Sequence, residues 1–323
     1  MSAVREYEEM QLRQTGEHTR AYIKIQDGCN QFCSYCVIPY ARGRVRSRRE
    51  EDILREIQGM VEAGYREVVL TGIHISSYGI DLGDNTGMTA GKGMNGYQNV
   101  SRLIDLTEKI HALPGLDRIR LGSLEPRIVN SETAERLAAL PKLCPHFHLS
   151  LQSGCDATLK RMNRHYTVGE YYSCVENMRR CFDHPAITTD VIVGFPGETE
   201  AEFALTKAFL EKVNFYEMHV FKYSRRTGTA AAGMPGQLSE EVKRLRSGIL
   251  LELTKQQSKA FRAAYIGREA EVLLEEKRRI AGQWRLTGYT KDYVKVAVEA
   301  GQNQVNTLVK VPVKGFLTDE ILQ

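Results

Sequence analysis

Cys29, Cys33 and Cys36 stand in the run Gly28-Cys29-Asn30-Gln31-Phe32-Cys33-Ser34-Tyr35-Cys36, and the next cysteine is Cys144. A structural zinc site closes with four nitrogen or sulfur ligands, and a saturated iron–sulfur cluster takes four thiolates. Three thiolates on one tight loop leave one iron of a [4Fe-4S] cluster without a protein ligand. Such an iron can bind and reduce a small molecule, so redox chemistry is expected rather than scaffolding. The alternatives are a zinc loop completed by a distant ligand such as His74, or three unrelated thiols.

Directly after this loop, Arg42, Arg44, Arg46, Arg48 and Arg49 crowd into residues 41–49. In extended chain the strand period of two would project Arg42, Arg44, Arg46 and Arg48 from one side. A row of that kind suits nucleic-acid phosphates, or it is a solvated or ion-paired face.

The elements that must position these groups are legible in the periodicity. Apolar β-rich runs at 22–26, 67–71, 118–121, 147–151, 188–193 and 217–221 alternate with amphipathic helical stretches. Ser47 with Glu50, Thr167 with Glu170, and Thr199 with Glu202 have the spacing of capping boxes, and Gly64 stops the first of these helices. Strand–helix alternation predicts a parallel sheet with helices outside. Six units are too few for an eight-stranded barrel, so the fold class is α/β with a partial, open (β/α)6 barrel. Ligands of such folds sit at the C-terminal ends of the strands. There the sequence gathers Thr71-Gly72-Ile73-His74, Ser123-Leu124-Glu125, Ser150-Leu151-Gln152 and the turn from Gly194 to Gly197.

Residues 81–99 show no periodicity and read as a mobile surface insertion. Residues 238–265 read as a long helix, with Leu238, Val242, Leu245, Ile249 and Leu253 as its packing stripe. From 266 the pattern changes to short strands at 269–274, 284–287, 294–298 and 308–316, which suggests a small OB-like β-barrel. Trp284, Tyr289 and Tyr293 with Arg285, Lys291 and Lys295 could form an RNA-binding surface there, or Trp284 is ordinary core. The expected domains are a linker over 1–20, a core over 21–237, a connecting helix over 238–265 and the small barrel over 266–323.

Composition restricts the setting. With 323 residues and 42% apolar content the chain can bury an ample core. No apolar run approaches the ~20 residues that cross a bilayer. The polar, acidic start is unlike a signal peptide, so a cytoplasmic location with reduced cysteines is expected. A net charge of +4 permits a polyanionic partner without demanding one.

The cysteine run, with Tyr35 before its last cysteine, resembles the motif of the radical S-adenosylmethionine (SAM) enzymes. Asp27-Gly28-Cys29-Asn30, the run from Cys36 to Gly43, Ser76-Ser77-Tyr78-Gly79, His148 to Gly154, Met162-Asn163-Arg164, Asp190 to Thr199, and Tyr223 to Thr229 extend the likeness. Together they resemble the methylthiotransferases of that superfamily, and the last barrel looks like their RNA-binding TRAM module. Thr71-Gly72-Ile73-His74-Ile75 looks most like the branch acting on N6-threonylcarbamoyladenosine in tRNA.

That resemblance implies a [4Fe-4S] cluster on Cys29, Cys33 and Cys36 whose open iron chelates SAM. It implies one-electron cleavage of SAM to a radical that takes hydrogen from C2 of the adenine, where a methylthio group is installed. Carried over by position, Thr71 and Gly72 lie near the methionyl amino group. Ser123, Glu125, Gln152 and Arg164 meet the ribose, amino or carboxylate groups, and Gly194 and Gly197 approach the adenine. Arg164 is the choice for the carboxylate, because a guanidinium grips it in bidentate fashion. Arg42, Arg44, Arg46, Arg48, Trp284 and Lys291 are the candidate RNA contacts. The implied partners are the anticodon region of tRNA and a one-electron donor such as a flavodoxin or ferredoxin system, with the protein acting as a monomer.

One departure accompanies the match. Family members carry an N-terminal domain whose three cysteines hold an auxiliary [4Fe-4S] cluster. Here the chain starts just upstream of the radical motif, and Cys144, Cys155, Cys174 and Cys181 have no cluster spacing. A fragment or shortened form is therefore expected, competent to bind SAM but not complete for sulfur insertion. The rival readings are action on another tRNA adenosine or on a ribosomal protein, and a non-catalytic RNA-binding remnant.

Overall fold

The computed structural model describes residue 7 and residues 19–83, 100–301 and 304–323. Most of the 1–20 linker and the insertion from 84 onward lie outside the described residues. Chain order gives β1 (Arg20–Asp27), α1 (Ile38–Ala41), β2 (Arg46–Ser47), α2 (Glu50–Glu62), β3 (Glu67–Gly72), α3 (Val100–His111), β4 (Arg118–Leu121) and α4 (Ser131–Ala138). Next come β5 (His146–His148), α5 (Asp156–Arg161), α6 (Val168–Cys181), β6 (Ala186–Val193), α7 (Glu200–Val213) and β7 (Glu217–Lys222). The long α8 (Glu240–Ala263) leads to β8 (Glu269–Ile280), β9 (Gln283–Tyr289), β10 (Lys295–Glu299) and β11 (Leu308–Pro312).

Strands β1, β3 and β4 pair in parallel, as do β5, β6 and β7. Bridges Ile119–Leu143 and Leu124–Leu149 join the two sheets. The expected partial (β/α)6 barrel is therefore formed. Among the described residues β7 has no strand on its outer side, and β1 has only the two-residue β2, so a seam lies open between them.

Alternation sorts each strand. Ala21, Ile23, Ile25, Val68, Leu70, Ile119, Leu121, Phe147, Val191, Val193 and Met218 pack outward with the helices in the main core. The intervening residues face the lumen and are mostly polar: Arg20, Tyr22, Lys24 and Gln26 on β1, Glu67 and Thr71 on β3, Arg118 and Arg120 on β4, with Val69 and Ile192 as apolar exceptions. His146 and His148 on β5, Asp190 on β6, and Glu217 and His219 on β7 complete that face. The polar groups at its lower end pair with one another and with the last four strands.

The capping boxes of α6 and α7 form as read, each with Thr Oγ1 accepting from the third residue's amide and Glu returning to the cap. The box at Ser47 does not form. Arg49 precedes α2, while Ser47 pairs with Gln26 in β2 and its hydroxyl accepts from the Gly79 amide at 2.7 Å. Helix α8 also departs from the reading, because Leu245 and Ile249 are exposed. Its buried face is Lys243, Arg246, Leu250, Gln257, Ser258 and Arg262, since it lies over polar loop ends. There Arg246 binds Glu198 at 2.6 Å and Glu200 at 2.8 Å, and the Gln257 amide donates to the Leu210 carbonyl.

The last four strands form an antiparallel sheet in the order β10-β9-β8-β11, and Leu322 bridges both Phe316 and Val296 to close it. This small barrel caps the N-terminal end of the larger lumen. Buried Glu67 meets Arg20 at 2.7 Å and Arg120 at 3.0 Å. Arg118 donates to the carbonyls of Tyr289 at 2.9 Å and Glu271 at 3.0 Å, and Arg20 also pairs with Glu275. Arg20 lies over the rings of both Tyr289 and Tyr293, which stack on one another.

Candidate cluster and cofactor site

The cysteine loop starts where β1 ends, at a glycine whose conformation is required. Gly28 has φ +72°, and a Cβ there would sit 1.9 Å from the Arg44 carbonyl oxygen. The returning chain clamps the loop, with the Cys29 amide donating to the Gly43 carbonyl at 3.1 Å. Its far side docks on the turn after α5. Ser34 donates from its amide to the Met162 carbonyl at 3.0 Å and from its hydroxyl to the Arg161 carbonyl at 2.8 Å. The Asn163 side chain holds the Phe32 carbonyl at 2.9 Å. Phe32 and Asn163 both have φ near +50° to +57°, a backbone cost accepted at the two halves of the clamp.

This docking brings the motifs together. Cys29, Cys33 and Cys36 line one cavity with Gln31, Tyr35, His74, Ser123, Glu125, Ser150, Gln152 and Arg164. Burial pushes the Cys29 thiol up to about 11, with Cys33 and Cys36 adding to the rise. Three converging, mutually repelling sulfurs are the donor set that a cationic metal centre relieves. The three thiols and the cavity beside them fit a three-ligand [4Fe-4S] cluster. His74, the ligand of the zinc alternative, reaches the same cavity, but its Nδ1 meets Ser77 Oγ at 2.7 Å and its Nε2 lies 3.3 Å from Glu125.

Among the SAM candidates, Ser123, Glu125, Gln152 and Arg164 line this cavity. Arg164 places one nitrogen 3.3 Å from Cys33 Sγ and another 3.0 Å from the Tyr166 hydroxyl. Burial works against its charge, but Tyr166, Cys33, Tyr35 and Glu125 outweigh that and raise its pKa. Buried Glu125 accepts from Arg127 at 2.8 Å and from Gln31 at 3.2 Å, so its carboxylate is held in place. Gln152 takes φ +71° and bridges to Val191, which turns its side chain off the strand direction.

Thr71, Gly72, Gly194 and Gly197 are not among the lining residues. Thr71 donates its hydroxyl to the Ile23 carbonyl, and Gly194 packs beneath Lys243 of α8. Ile73, His74 and Ser150, which the sequence gathered on this rim without a role toward SAM, and Gln31 of the cysteine run also line the cavity. A second group was missed altogether. His148, Asp190 and His219 bring their ligand atoms within 4.8 Å of one another on β5, β6 and β7. Their signal was strand alternation, a polar residue at every second place.

The RNA candidates divide. Arg42 and Arg44 are exposed, and Arg44 stacks over Phe32 at 4.6 Å. Arg46 and Arg48 do not join them in a one-sided row. Arg46 is buried and donates to the Arg42 carbonyl at 2.8 Å, and Arg48, 2% exposed, pairs with Glu56. Lys291 points back to the larger barrel, where it donates to the Pro141 carbonyl at 2.9 Å. Tyr289 and Tyr293 serve the same junction. Trp284 is not core: it is 59% exposed, with Lys277 Nζ 5.7 Å from its ring.

Comparison with known proteins agrees with this geometry. Residues 23–210 match the family model of the radical SAM superfamily. The chain is 38% identical over 96% of its length to the threonylcarbamoyladenosine tRNA methylthiotransferase of Bacillus subtilis, covering 65% of that protein. It is 37% identical over 93% of its length to the tRNA-2-methylthio-N(6)-dimethylallyladenosine synthase of Acetivibrio thermocellus, covering 59% of it. The chain thus spans roughly three fifths to two thirds of the curated relatives that it matches. Among solved structures, the radical SAM methyltransferase TsrM of Kitasatospora setae superposes with a TM-score of 0.51 at 19% identity, over 66% of this chain and 38% of that one. Coproporphyrinogen III oxidase of Escherichia coli does so at 0.50 and 15%, over 85% of this chain and 67% of that one. Those two likenesses are of fold alone. With three thiols and their polar surround at the strand ends of a six-stranded barrel, the chain belongs to the radical SAM superfamily, and its nearly full-length similarity is to the tRNA methylthiotransferases.

Proposed function

We propose that this chain is the SAM-cleaving core and RNA-binding barrel of a methylthiotransferase acting at C2 of N6-threonylcarbamoyladenosine beside the tRNA anticodon. The observation that carries the reading is the convergence of Cys29, Cys33 and Cys36 with Glu125, Gln152 and Arg164 on one cavity. A [4Fe-4S] cluster and SAM, when bound there, supply one-electron cleavage to a carbon radical able to attack a C–H bond that no acid–base side chain can. The chain's own residues bind and orient. Glu125 offers its carboxylate to the ammonium of the methionyl group, Arg164 its guanidinium to the carboxylate, and Gln152 its amide to ribose hydroxyls. Tyr35, whose ring meets Phe195 edge-on, and Ile38 keep water from the cluster side.

The hairpin of β8 and β9 supports the RNA part. Lys277, Arg278, Arg279 and Trp284 stand exposed around its Ala281-Gly282 turn, an aromatic set among cations. Arg42 and Arg44 form a separate exposed basic pair beside the cysteine loop. Sulfur handling belongs to an auxiliary cluster of the longer relatives in this reading; Cys144, Cys155, Cys174 and Cys181 are scattered singly through the barrel wall. Work in the cytoplasm as a monomer, with a flavodoxin- or ferredoxin-type donor, completes the proposal; among the described residues no helix is long and apolar enough to cross a membrane. The test is mass spectrometry of tRNA nucleosides from cells lacking, then regaining, the full-length gene. The 2-methylthio form of N6-threonylcarbamoyladenosine should vanish and return. If it persists in the deletion, the proposal fails.

A further inference from the structure

The two kinds of tRNA relative match this chain at 38% and 37% identity, so overall likeness does not choose between a threonylcarbamoyl and an alkenyl group on N6. The lumen does. His148, the last residue of β5, lies two residues before Ser150, about 6.6 Å deeper than the layer that lines the cysteine cavity. Beside it, Asp190 and His219 are in direct register on β6 and β7. Thr188 Oγ1 meets His148 Nδ1 at 3.1 Å, and Asp190 lies 3.3 Å from its Nε2, so that ring is fixed. His219 stacks against His148 at 5.8 Å and is exposed toward the open seam. It also borders a recess of about 620 Å³ that runs from β7 to Tyr289 and Tyr293 of the small barrel.

We propose that the stacked imidazoles of His148 and His219, steadied by Thr188 and Asp190, read the N6 substituent of the substrate base and select one that is polar and carries a carboxylate. The inference rests on the proposed function. With C2 turned toward the cysteine cavity, C6 lies two ring positions further along the same edge of the base, past N1, and the substituent on its N6 reaches the next layer down. A urea-linked hydroxy acid supplies acceptors for the His219 N–H and donors for Asp190, with His148 backing the pair. An alkenyl chain supplies neither. It would strip water from His219 and from the Asp190 carboxylate without replacing its hydrogen bonds, the situation in which sites reject an apolar analogue most strongly. His219, on the edge strand beside the recess, is the member that meets the substituent first.

The test is fluorescence anisotropy of cluster-reconstituted, SAM-loaded protein with synthetic anticodon stem-loops bearing threonylcarbamoyladenosine, dimethylallyladenosine or plain adenosine, at one fixed salt concentration. The threonylcarbamoyl loop should bind ~10-fold or more tightly than the dimethylallyl loop. His219→Phe should bring the two within about twofold by removing the N–H donors, whereas His219→Gln should keep the preference. Both variants should melt like the parent, since the residue is exposed. Equal binding of the two modified loops by the parent, or an unchanged preference in His219→Phe, overturns this inference and leaves the tRNA reading standing. Failure of the parent to bind any loop overturns both.

Discussion

A tryptophan that is 59% exposed beside a lysine ammonium, on a hairpin of exposed cations, has little to do for the fold. Its indole is free to stack on an unpaired base, a contact worth ~1–3 kcal/mol. Trp284→Ala should therefore weaken stem-loop binding by roughly 5- to 150-fold, and the melting temperature should stay put. A titration with unchanged affinity would return Trp284 to the ordinary surface. The sequence left core and surface open for this residue, because alternation alone does not say which face of an end hairpin is covered. It was firmer on the cysteines, whose spacing is itself the chemistry. The arginine row failed for a physical reason: the chain bends through α1 and β2 after Tyr40, and Arg46 and Arg48 turn in to satisfy carbonyls and Glu56.

Among the elements, β1, β3 and β4 place three guanidiniums around one carboxylate that has no solvent exposure. Burial pushes the Glu67 carboxyl up, but Arg120, Arg20 and Arg118 together hold it below the usual range. Such a group contributes stability that is present above its unfolded pKa and is lost as pH falls through the folded one. Removing the charge is costlier than the pair is worth, because three buried guanidiniums lose the anion they share, leaving Glu275 to Arg20 and Glu271 to Arg118. Glu67→Gln should lower the unfolding free energy by ~3–5 kcal/mol in denaturant titration, and a loss under 1 kcal/mol would show that water reaches the cluster. The strands carrying this network were legible in the sequence; the network was not, since it needs register across three strands. Ser47 and α8 teach the same thing. A capping box read by spacing gives way when its serine is wanted by Gly79 of another loop. An apolar stripe loses the inside of a helix when the surface beneath is Glu198, Glu200 and Glu217.

At the level of the whole molecule, the small barrel is the floor of the larger lumen, and its seating depends on pH in a way that can be worked out. Asp292, in the β9–β10 loop, is bonded to Tyr265 and lies near Arg118 and Arg120; burial outweighs those cations and pushes its carboxyl up to about 6. A folded pKa raised above the unfolded one gives stability that is full below about pH 4 and is lost as pH rises through about 6. His146 sits at the same junction, its ring 5.1 Å from Tyr293, and burial drives its pKa well below the ordinary value. It works in the opposite sense, losing stability as pH falls below about 6.5. The raw melting profile of the parent is therefore flattened, and the diagnostic is the difference from Asp292→Asn, which keeps a neutral group of the same shape. That variant should gain on the parent from about pH 4 to about pH 6 and hold a constant lead above it, as the parent alone must ionise a buried acid over that window. Parallel melting curves across that window would mean that Asp292 does not titrate there, and that the floor of the lumen is set by the arginines alone.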